Sequence, residues 1–133
     1  MTFPDTAPRR RWINEQTVLA ELERLSDLSM ERAREFGEQA VAAASAEANH
    51  KRLRARRILL AKAEGERSTA GAEVVAEADE TVANAYHDRL VTAAVADATR
   101  ESMRSIRENQ NALRTAAASA RDGVVGPGWQ GRA

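Results

Sequence analysis

The chain has 133 residues, with 20 basic and 20 acidic side chains and therefore a formal net charge of zero. It has no cysteine, which excludes disulfide scaffolds and cysteine zinc sites, and its two histidines, His50 and His87, are too few for most histidine-led metal sites. Alanine supplies 28 residues while Leu, Ile, Val and Phe together supply only 23, so a single chain has little with which to build a large core.

Residues 1–13 contain Pro4 and Pro8, show no periodicity and read as a flexible arm. Asn14 is a candidate N-cap for a long helix over about 14–63. Its apolar positions Val18, Leu22, Leu25, Ser29, Ala33, Phe36 and Ala40 recur in steps of three or four. Gly65 and Gly71 bracket a break with Ser68 and Thr69 as caps, and a short helix over about 70–78 follows. Asp79 caps the last helix, predicted over about 80–121. In that helix Thr92, Ala96, Thr99, Met103, Ile106, Gln110, Leu113, Ala117 and Ala120 step alternately by four and three, a coiled-coil seam. Residues 122–133 hold four of the seven glycines and Pro127, and read as a disordered tail. The expected fold is all-α: a long helical hairpin over 14–121 with a short connecting helix, coiled-coil-like and self-associating. Its oligomer seam would run through Leu22, Leu25, Phe36, Met103, Ile106, Gln110 and Leu113, giving a homo-oligomer of at least about four chains.

The zero net charge conceals blocks. Residues 15–50 hold eight acids against three arginines, and residues 64–80 six acids against Arg67 alone. Between them Lys51, Arg52, Arg54, Arg56, Arg57 and Lys62 form a block with no acid. At 100° per residue these six spread around most of the helix, as a surface meeting a polyanion could use. The competing reading pairs them with the flanking acidic blocks, in the same chain or a neighbour. On the last helix Arg100, Arg104, Arg107, Arg114 and Arg121 lie beside the seam, with Asn111 filling a gap in the row. These arginines make either interhelical salt bridges, with Glu101 and Glu108 at hand, or a positive track. One Tyr, two Trp and two Phe leave few stacking platforms for bases, so any nucleic-acid binding would be mainly electrostatic. Trp12 and Trp129 could each stack on a base or anchor a partner protein.

Catalytic patterns are missing: there is no G-x-x-x-x-G-K-[ST], G-x-S-x-G or H-E-x-x-H. Glu73, Glu77 and Glu80 read as a solvated face, and both histidines as surface residues. The chain is read as non-enzymatic, with no cofactor and no metal. No segment has the 18 or more apolar residues of a membrane span, and no signal-peptide core follows Arg9–Arg11, so a cytoplasmic place is expected.

Arg56–Ser68 and Arg104–Thr115 resemble segments of small helical proteins encoded in bacteriophage replication and recombination regions. The layout over about 40–121 is a long basic helix ending in Lys-Ala-Glu-Gly, a short capped helix, then a long helix ending in Leu-Arg-Thr. It is similar to that of the UvsY-type recombination mediators of T-even phages. The resemblance implies a ring-forming α-helical protein of the host cytoplasm that binds single-stranded DNA. It further implies help in loading a recombinase past a single-strand-binding protein. The DNA-contacting positions would correspond to Arg54, Arg56, Arg57 and Lys62 before Gly65. Where that family has aromatic residues before the glycine, this chain has Ala63 and Glu64. Two functions are thus expected: a phage-type accessory protein binding single-stranded DNA, or a structural or adaptor coiled-coil oligomer without nucleic acid. A third, a small regulator holding a protein partner, rests on Trp12 and Trp129 alone.

Overall fold

The computed structural model describes residues 15–130, with side chains to residue 122. The protein is all-α. Its described residues form α1 (Glu15–Ala63), α2 (Thr69–Ala78) and α3 (Glu80–Gln130). The arm 1–13, with Trp12, and the cap candidate Asn14 lie outside the described residues, as does the Trp129 side chain.

Short-range chemistry accounts for the breaks. Gly65 takes a φ of 114°, a left-handed geometry that favours glycine. Its N–H donates to the Lys62 carbonyl at 3.2 Å and the Glu66 N–H to the Ala61 carbonyl at 3.0 Å, a Schellman ending for α1. Ser68 opens α2 by accepting the Gly71 N–H on its hydroxyl at 2.9 Å. Asp79 closes α2, donating its N–H to the Ala76 carbonyl, and opens α3 by accepting the Val82 N–H on Oδ1 at 3.2 Å. At the other end α3 continues to Gln130, past the Arg121 at which the sequence reading places its end. The segment read from sequence as a disordered tail is thus helical as far as Gln130.

The chain divides into two compact units. One joins the start of α1, up to Ala33, to α3 from Ser102 onward; the other is Arg34–Glu101. In the first, Arg32 Nε donates to Ser102 Oγ at 3.3 Å, while Leu113 and Ala116 share a cleft with Val18 and Glu21. In the second, the Arg100 guanidinium lies 5.2 Å from the Phe36 ring centroid, Arg89 reaches Glu47 at 3.3 Å, and Arg57 meets Asp79 at 3.2 Å. Partners on α3 recede as partners on α1 advance, so the helices are antiparallel within each unit.

Alanine dominates the inside. Ala61, Ala72, Ala76, Ala85 and Ala96 are buried with Val82 in the second unit; Val18, Leu25 and Ile106 are buried in the first. Every position of the α3 heptad seam from Thr92 to Ala120 is buried or half-buried within one chain. Leu25 and Ile106 are buried, and Leu22, Phe36, Met103, Gln110 and Leu113 half-buried, within one chain. The apolar residues left exposed are others, among them Val41, Leu59, Val74, Leu90 and Val95.

Candidate nucleic-acid interface

The basic block lies in the last third of α1, inside the second unit, and the structure splits it by direction. Arg54 turns toward α2, where its Nη2 lies 3.9 Å from Glu73 and 3.7 Å from Glu77. Arg57 turns toward the corner between helices: Nε donates to Asp79 Oδ2 at 3.2 Å and Nη1 lies 3.6 Å from Glu64. That second contact is too long for a hydrogen bond, and the buried Nη1 makes none. Glu73 and Glu77, read from sequence as a solvated face, thus serve as Arg54's counter-ions. For Arg54 and Arg57 the pairing is with the acidic block that follows, within the same chain.

The remaining cations point outward. Lys51 pairs with Glu47 one turn back at 3.0 Å, and Arg52 donates to Asn49 Oδ1 at 2.8 Å. Arg56 and Lys62 are exposed and have no ion pair among the described residues. Arg52 and Arg56 are one turn apart on a common face. Arg100 pairs with Asp97 on its own helix at 3.2 Å while covering Phe36, and Arg114 donates to Asn111 at 3.4 Å. Arg104 and Arg107 are exposed on the first unit's part of α3.

His50 corrects the sequence reading, which placed it on the surface. It is buried, its ring is 5.2 Å from the Tyr86 ring, and its Nδ1 is 3.1 Å from Arg89 Nη1. Burial, then Arg89, then Arg54 push its pKa below the ordinary histidine value, favouring the neutral ring. The adjacent Glu47 carboxyl is held below the usual carboxylate range by Lys51 and Arg89. Arg89 went unnoticed in the sequence, although it is the one charged residue between Asp88 and Asp97. His87 is exposed.

Among the described residues no cluster of His, Cys, Asp or Glu is placed to hold a metal ion, and no helix is long and apolar enough to cross a membrane. These features define an all-α protein whose distinctive chemistry is a half-neutralised basic block beside a capped corner. Compared with family models, curated proteins and solved structures, the chain has no match in any of the three.

Proposed function

We propose that the protein is a self-associating, non-catalytic accessory protein that binds single-stranded DNA electrostatically. The observation that carries this reading is the outward set Arg52, Arg56 and Lys62, exposed on α1 in a stretch with no acid of its own. Arg54 and Arg57 have a different task, holding α2 and the corner against α1. Other cations of the two basic rows are differently placed. Lys51 and Arg100 have carboxylates beside them, and Arg104, Arg107 and Arg114 form a separate group on α3. The resemblance to phage recombination mediators adds a setting, the host cytoplasm, and a partner class, a recombinase or single-strand-binding protein.

The test is an anisotropy titration of a single-stranded oligonucleotide at two salt concentrations. Arg52→Ala/Arg56→Ala/Lys62→Ala should weaken binding for all sequences alike, because backbone contacts carry no base information. The slope of log affinity against log salt should shrink by about 0.7 per lost phosphate contact. Arg54→Ala/Arg57→Ala should lower stability instead. Wild-type protein that shows no salt-dependent binding would sink the reading.

A second reading, a structural or adaptor oligomer without nucleic acid, is favoured by the ion pairs of Arg54 and Arg57. It predicts that the triple variant alters only association between chains.

A further inference from the structure

Two outward faces of the second unit match one another in apolar content and oppose one another in charge. On α1, Val41, Ala48, Ala55 and Leu59 share one side of the helix at steps of seven, seven and four residues, all exposed. Val41 and Leu59 are each 68% exposed, high for aliphatic side chains. Arg52 and Arg56 stand in this stripe, and the one acid between Val41 and Ala63, Glu47, lies off it, paired with Lys51 and Arg89. On α3, the side turned away from α1 carries Leu90, Val91, Ala94 and Val95, also exposed. Asp88 and Asp97 bound this patch, Asp97 with Arg100 of its own helix 3.2 Å away, and no charged side chain lies between the two acids on that side. Arg89, the one charge in the interval, turns inward to Glu47.

The geometry points to a second copy of this chain as the occupant of both faces, with the α1 stripe of one copy seated on the α3 patch of the next. The inference rests on the self-association in the proposed function and names its surfaces. Charge decides the pairing. Stripe against stripe would bring Arg52 and Arg56 together with their own kind, and patch against patch would gather Asp88 and Asp97. Stripe against patch puts cations opposite carboxylates around an apolar centre. Small residues at Ala48, Ala55 and Ala94 let the helix backbones approach closely. A contact between unlike faces is head-to-tail, so it either closes into a ring or propagates. Arg52 and Arg56 would then serve phosphate or the neighbouring copy, not both at once.

Charge reversal separates the possibilities, with mass measured by light scattering on the full chain at micromolar concentration and low salt. Arg52→Glu/Arg56→Glu and Asp88→Lys/Asp97→Lys should each weaken association at least about tenfold, with helicity by circular dichroism unchanged. An equimolar mixture of the two variants should regain the wild-type mass, and so should one chain carrying all four changes. Rescue by mixing guards against a folding defect, since damaged chains do not restore one another. Reversal variants that associate like wild type, or a mixture that stays dissociated, overturn the assignment of faces and leave self-association standing. A wild-type chain that is monomeric under these conditions overturns both.

Discussion

Arg57 is 24% exposed and touches carboxylates on both sides of the turn, Glu64 before Ser68 and Asp79 after α2. A charge-assisted contact in such a half-covered place contributes about 1–3 kcal/mol. Arg57→Met should therefore lower the melting temperature by several degrees, measured by circular dichroism, whereas Arg56→Met on the open face should leave it within about a degree. His50 gives a pH signature. The groups facing it are Glu47 and Arg54 from α1 and Tyr86 and Arg89 from α3. With its folded pKa below 6.5, the unfolded chain takes up a proton first as pH falls, so the unfolded state gains. Stability should be level above about pH 7.5 and decline as pH drops through 6.5, and His50→Gln should flatten that decline. Glu47 acts in a separate window. Its depressed pKa contributes stability above the ordinary carboxylate value, lost only as pH falls below it.

The two breaks between the helices owe their places to local chemistry, and local chemistry is what a sequence displays. The glycine at 65 and the cap residues Ser68 and Asp79 can be read without knowing what packs where, and so can the 4-3 rhythm from Thr92 to Ala120. What that rhythm packs against was not readable. An apolar seam looks the same whether another chain or the chain's own α1 covers it, and here its positions are covered within one chain. His50 was misplaced for a related reason, since its cover comes from Arg89, 39 residues further along. The division of the basic block is likewise tertiary: the position of α2 decides that Arg54 turns inward while Arg52 does not. Two substitutions test the elements themselves. Gly37 is helical, and a Cβ there meets nothing within 4 Å, so Gly37→Ala should stabilise by about 0.5–1 kcal/mol, read as a higher denaturation midpoint. Gly65→Ala should cost more than that, because the φ of 114° strains any other residue.

For the molecule as a whole, the thin alanine interior limits how much apolar surface one chain hides, and Val41, Leu59 and Leu90 remain outside. If charge pairing between copies guides their cover, raising salt from 50 to 500 mM should shift the mass distribution toward smaller species. The corner also bears on the order in which the protein forms. The Arg57–Asp79 contact closes a separation of 22 residues, Arg89 with His50 closes 39, and Arg32 with Ser102 closes 70. The entropy lost on closing a loop grows with its length, and contacts near in sequence form before distant ones. Folding should then start at Gly65–Asp79 and close like a zip toward the far ends of α1 and α3. Mutational analysis of folding rates checks this: truncations near the corner, such as Val82→Ala, should slow folding, and those at Leu25 or Ile106 should mainly speed unfolding.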